Sequence, residues 1–209
     1  MSSPSHAPDP TLEQSSQTLE SAPSAPPKSR KGVFAIMGVF AIVAGAVLAI
    51  FLYNQVKLQG PLNKVLAADD RNKNVNARAH FDHWIDSSTV VFNLSTVSGN
   101  SSQMDVFRVL LQFARSQKEQ KYKQVILAAY GENKFIVPGD YFQQLGAEYG
   151  SQNPVYTIRT FPHHVSNMSG EKPFPEYTGG ILGVLGKEMD EFNDMNKQWF
   201  LNDYRARQK

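Results

Sequence analysis

Apolar positions along this chain fall into two regimes. Between Gly32 and Tyr53 they are continuous: GVFAIMGVFAIVAGAVLAIFLY carries no charged residue. A helix of that length rises about 33 Å, close to the thickness of a bilayer's hydrocarbon core. It would be hydrophobic on every side, which water does not tolerate. The pattern therefore predicts a transmembrane helix over 32–53. After Tyr53, apolar and polar residues interleave with the shorter periods of a domain that has its own core.

Gly60-Pro61 is expected to interrupt any helix leaving the membrane, because proline lacks a donor and restricts its predecessor. Pro61 then opens a short helix with Leu62, Val65 and Leu66 on one side. Asp69–Asn76 (DDRNKNVN) is polar and aperiodic, so 54–76 reads as a membrane-proximal linker. Ala77–Asp86 is expected to form another short helix burying Phe81, Trp84 and Ile85.

Within the soluble region, 77–209, Ser88–Val97 (STVVFNLSTV) is rich in β-branched residues and predicts a strand. Ser102 and Asp105 have capping-box spacing at the start of a helix reaching about Gln117. Its expected buried face is Met104, Phe107, Leu110, Leu111 and Ala114, widened by Val106 and Phe113. Gln124–Tyr130 and Lys134–Val137 predict a β-hairpin around Gly131. Asp140, with Gln143 at the reciprocal position, is expected to cap a helix that buries Tyr141, Phe142 and Leu145 and stops at Gly150. Val155–Thr160 (VYTIRT) reads as a last strand.

The resulting order, β-α-β-β-α-β, is that of the ferredoxin-like fold; a two-layer α+β sandwich with another strand order is the alternative. Phe161–Tyr177 carries three prolines and no pattern, so it is expected to be a long loop. A terminal helix follows from about Thr178 to Arg205, with Leu182, Leu185, Met189, Phe192 and Trp199 in helical spacing. Glu188, Asp190, Glu191 and Asp194 are expected to face water. The fold class is thus α+β: one transmembrane helix, a small sandwich and a long C-terminal helix.

Composition narrows the chemistry more than the fold. The 209 residues include no cysteine, which removes disulfides and Cys-ligated metal sites. A net charge of +2 gives no basic field of the kind nucleic acids attract, so no nucleic-acid partner is expected. The segment 1–31, rich in Ser, Pro and Ala, has too few large apolar residues to offset chain entropy and reads as a disordered tail. Lys28, Arg30 and Lys31 abut the apolar run. By the positive-inside rule they place the N-terminus in the cytoplasm and the domain outside, although Lys57, Lys64 and Arg71 follow the helix. The run is longer than a signal-peptide core and begins late, so it reads as an uncleaved signal anchor. This tail–anchor–domain layout resembles that of bacterial inner-membrane single-pass proteins.

Several residue groups invite a chemical reading. Gly38, Ala41, Gly45 and Ala49 form a small-residue stripe of the type that lets two spanning helices approach. His80 and His83, one helical turn apart, offer two metal ligands but no evident third, and polar flanks of Phe81 and Trp84 explain them as well. The glycines from Gly179 to Gly186 lack the strand and the Lys-Ser/Thr of a phosphate loop. The sequons at Asn93, Asn100 and Asn167 are those an Asn/Ser-rich chain contains by chance. His163 and His164, with Glu171, are the best candidates for a general base.

Two functions fit these residues. One is a membrane-anchored, non-catalytic binding or scaffold protein of the bacterial cell envelope, without a cofactor. It would meet a protein partner, or a second copy, through the transmembrane or the C-terminal helix. The other is an anchored hydrolase whose site lies in the 161–177 loop.

Overall fold

The computed structural model describes residues 30–177 and 181–208. The predicted tail as far as residue 29, and Gly179 and Gly180, lie outside them. The chain forms two compact units, Met1–Ala41 and Ile42–Lys209. Of the first, the helical residues 30–41 are described; the second holds the sheet and the core.

Helix α1 (Arg30–Asn54) covers the predicted apolar run. The sequence expectation of a break at Gly60-Pro61 is not met. A π-turn (Gln55–Gln59) leads into α2 (Gly60–Ala68) without interruption. The wider turn supplies the reason: Gly60 N–H reaches back to the carbonyl of Gln55, and Pro61 takes the first turn of α2, where its missing donor is not needed. A Cβ on Gly60 would stand 2.9 Å from that same carbonyl oxygen, so the turn favours glycine here. Among the described residues, one helix is long and apolar enough to cross a membrane, the 33-residue stretch Ile36–Ala68. None of its most apolar 18-residue window is buried.

The predicted linker is largely ordered. Leu58 and Leu62 are fully buried, a 3-10 turn (Asp70–Asn72) follows, and Val75 already opens a strand. That strand, β1 (Val75–Asp82), replaces the helix expected over 77–86. Its Val75, Ala77, Ala79 and Phe81 point inward in strict alternation, a period of two that a helix cannot satisfy. Trp84 and Ile85, expected to be buried, are exposed in the turn that leads to β2 (Asp86–Val97). Helix α3 (Gln103–Ser116) begins with the predicted capping box: Ser102 Oγ accepts from Asp105 N–H, and the Asp105 carboxylate accepts from Ser102 N–H.

Strands β3 (Gln124–Ala129) and β4 (Glu132–Pro138) form the expected hairpin. Its two-residue turn is Tyr130-Gly131, both with positive φ, as a type I′ turn requires. Helix α4 (Gly139–Glu148) buries Tyr141, Phe142 and Leu145 as expected, but without a side-chain cap. Gln143, assigned to that cap, donates instead to the Lys118 carbonyl.

The expected strand over 155–160 is helix α5 (Pro154–Thr160). Asn153 caps it by accepting from Val155 N–H, and Pro154 at the first position fixes a helical φ. This local start signal overrides the β-branched composition. The 161–177 segment is not a bare loop either. It contains a 3-10 turn (Phe161–His164) and a short strand, β5 (Ser166–Asn167), and it buries Phe174 against Phe135. The chain ends in α6 (Ile181–Asn196), a second π-turn (Lys197–Leu201) and α7 (Asn202–Arg207).

The protein is therefore mixed α/β, with a five-stranded sheet in the order β1-β2-β3-β4-β5. Neighbours run antiparallel except β2 and β3, which are parallel and joined through α3. This is not the ferredoxin-like order. Its expected last strand, over 155–160, is a helix, and the sheet instead gains β1, from the stretch expected to be a helix ahead of that order, and the short β5. Most buried apolar side chains form one cluster shared by the sheet, α2, α3, α4 and the terminal helix. A second cluster of buried residues comprises only Val91, Ile126 and Ala128.

Candidate functional site

Helices α3, α4 and α5 border an open groove of about 440 Å³. Its floor is apolar: Phe107, Leu111, Leu145 and Ile158, with the half-exposed Met104. Met104 belongs to the predicted buried face of α3, yet no other element covers it. Arg71, Arg108, Glu148 and Tyr149 make the rim.

That rim is stiffened by a polar network spanning the presumed linker. Asp69 accepts from Arg71 Nε and Nη2 at 2.9 and 2.7 Å and from Gln112 Nε2 at 3.1 Å. These bonds, led by those from the Arg71 guanidinium and backbone, hold the Asp69 carboxyl far below the usual carboxylate range, and the Arg71 guanidinium shifts up in response. Buried Asn72 donates to the Val65 carbonyl and to Gln112, and accepts from Arg108 Nε. Arg108 also pairs with Asp105 at 2.9 Å. Burial pushes the Asp105 carboxyl up, but hydrogen bonds from Ser102 and Arg108 outweigh it and the net shift is down. Both arginines facing the groove are thus already paired with carboxylates.

A second polar cluster ties the terminal helix to the segment before it. His163 is only 7% exposed, and its Nε2 lies 3.0 Å from Glu191 Oε2. Arg159 Nε donates to Glu188. Glu188 and Glu191, expected to face water, are therefore buried. Each has a basic partner from α5 or the following 3-10 turn, while Glu191 Oε1 is buried without a hydrogen-bond partner. Sequence reasoning missed this pairing because the partners lie 28 and 29 residues away along the chain.

The structure separates the three residues proposed for catalysis. His163 is committed to Glu191. His164 stands on the surface, stacked on Tyr141 at 3.8 Å, with Nδ1 against the Thr160 carbonyl. Glu171 closes a turn with Asn167, accepting from its side-chain amide. No hydroxyl is hydrogen-bonded to either histidine among the described residues. The imidazole of His163, buried and engaged, is built to lock α6 in place. The expected pair His80 and His83 is split as well. His80 sits on β1 with its ring stacked on Trp84, while His83 occupies the turn beside Asp82. No group of three His, Asp or Glu side chains suited to a metal ion occurs among the described residues. The small residues Gly38 and Gly45 face open space, and a Cβ on either would touch nothing within 4 Å. Gly183 and Gly186 are helical, not part of a phosphate-binding turn.

No protein-family model, curated protein or solved structure matches this chain.

Proposed function

We propose that this chain is a single-pass, membrane-anchored binding or scaffold protein of the bacterial envelope, and that its domain holds another envelope component rather than transforming a substrate. The carrying observation is the long apolar helix with no buried residue in its most apolar window, running into a folded domain. Lipid is the environment that accepts such a surface. The basic residues Lys28, Arg30 and Lys31 favour a cytoplasmic N-terminus and an external domain.

The terminal helix, considered from sequence as a contact surface, spends its large apolar residues internally: Phe192, Met195, Trp199 and Phe200 are all buried. The groove between α3, α4 and α5 is the better candidate for a protein segment bearing apolar side chains. Its polar rim and uncovered apolar floor have the anatomy of a small interface. The hydrolase alternative has less support, because its histidines are engaged in packing.

Fractionation of the full-length protein tests the anchor. It should remain with membranes through alkaline washing and leave only with detergent, and protease should reach the domain only from outside. A monomer soluble without detergent would overturn the reading. Replacing both histidines, His163→Gln with His164→Gln, separates the two functions once circular dichroism shows that the double variant keeps its fold. A co-purifying partner should survive that change, whereas a hydrolase would lose turnover.

A further inference from the structure

The β1–β2 turn is built in an expensive way. Ile85 N–H donates to the Asp82 carbonyl at 3.2 Å, and the two residues between them, His83 and Trp84, have φ of 48° and 68°. This left-handed pair is the geometry that Asn-Gly adopts without strain. For residues with larger side chains it costs on the order of 1 kcal/mol each. Turn formation alone does not account for a tryptophan there. The indole is nevertheless held in place, stacked on the His80 ring at 4.9 Å with the planes 8° apart. Trp84 is 47% exposed and Ile85 69% exposed.

The turn is also fixed in height against the helix. Asn54, the first residue after the apolar run, is buried. Its Nδ2 donates to the Trp84 carbonyl at 2.9 Å, and its Oδ1 accepts from Phe81 N–H at 2.7 Å. Next to it, the Tyr53 ring stacks on Phe81 at 5.4 Å. These contacts place Trp84 and Ile85 level with the residues where the helix changes from apolar to polar. Phe51, Leu52 and Val56 are exposed on the helix around that level. Tryptophan and tyrosine concentrate at this depth in membrane proteins, since their rings join an apolar body to a polar edge.

We infer that the β1–β2 turn is a second membrane contact, with Trp84 and Ile85 seated in the interfacial layer of the bilayer that α1 crosses. The inference rests on the anchor reading. It adds that the domain lies down on the lipid surface through a fixed hairpin tip. The charges around the tip are Asp82, paired with His83 at 3.1 Å, and Asp86, which accepts from Ser88. Lys123 is the cation beside Asp86, and this near balance of charge suits a zwitterionic surface better than a strongly anionic one.

The chain has two tryptophans, Trp84 and the fully buried Trp199, and both emit. Full-length protein is reconstituted into phosphatidylcholine vesicles whose acyl chains carry bromine near the headgroup end or near the tail end. The emission difference between the unmodified protein and Trp84→Phe isolates Trp84 without disturbing the core. Bromine near the headgroups should remove about half or more of that emission, and bromine near the tail end much less, as expected for an aromatic ring at the interface. If the protein floats with the vesicles but Trp84 emission is unchanged by either lipid, the turn is in water and the inference fails while the anchor stands. If the protein does not float with the vesicles, the anchor reading itself fails and takes the inference with it.

Discussion

Helix α1 and helix α6 both run into a five-residue π-turn, and each continues as helix beyond it. Their surroundings are opposite. From Ile36 to Tyr53 the first is apolar all round and almost wholly exposed. The second alternates acidic and apolar residues, yet packs Phe192, Met195, Trp199 and Phe200 into the core and buries Glu188 and Glu191 beside them. The π-turns serve different ends. In the first helix the extra residue makes room for Gly60-Pro61 and lets Leu58 and Leu62 face the sheet domain. In the second it lets the consecutive Trp199 and Phe200 both turn inward, with the indole N–H donating to the Ala128 carbonyl at 3.1 Å. Burial in this protein follows what lies beside a helix, and mean polarity along the helix is a poor guide to it.

The contrast is broken most severely in the terminal helix. Trp199→Ala should cost about 4 kcal/mol, because it opens a cavity between Phe92 and Phe200 and orphans a carbonyl. Denaturant titration in detergent micelles measures it. Arg159→Met should cost about 3 kcal/mol by leaving Glu188 buried without a partner. The value is at the low end because the guanidinium keeps some contact with water. The paired change Arg159→Met with Glu188→Leu should recover most of that loss; a double variant as unstable as the single one would mean that the ion pair is not what the site depends on.

In the first helix the effects are smaller and concern polar groups. Asn54→Ala should cost about 2 kcal/mol, since the Phe81 N–H and the Trp84 carbonyl lose their partner. Hydrogen exchange at Phe81 should accelerate before that of β3. Gly60→Ala is the mildest, about 1 kcal/mol, because a Cβ there presses on the Gln55 carbonyl. Replacing Pro61 with alanine in the same chain should relieve part of that cost by allowing an ordinary α-turn.

Much of the sheet was legible in the residues, and the reasons are local. The β-branched run of β2, the Ser102–Asp105 capping box and the hairpin glycine Gly131 each encode their conformation within a few positions, although the turn itself takes Tyr130 from the expected strand. β1 was misread because its inward positions include Ala77 and Ala79, small residues that also suit a helix, while Trp84 and Ile85 beyond it suggested a longer buried face. Helix α5 was misread because its β-branched residues outweighed the Asn153-Pro154 start signal. His163, His164 and Glu171 take separate partners for a different reason. His163 finds its partner in Glu191, and nothing in the neighbourhood of either residue announces a contact across that much chain. The groove was equally hidden, since Met104 and Leu111 carry the same spacing as the α3 residues that are covered.

Asn54 and Gln59 have a further effect at the sheet's border. β1 pairs with β2 alone, so its outer side would ordinarily offer free donors to any extended peptide. Here the Phe81 and Ala79 N–H groups already donate to the side-chain oxygens of Asn54 and Gln59. At the opposite border, β5 is two residues long. A second copy set alongside therefore finds two donors of one margin already taken and only a two-residue strand at the other, which leaves it little main chain to zip onto.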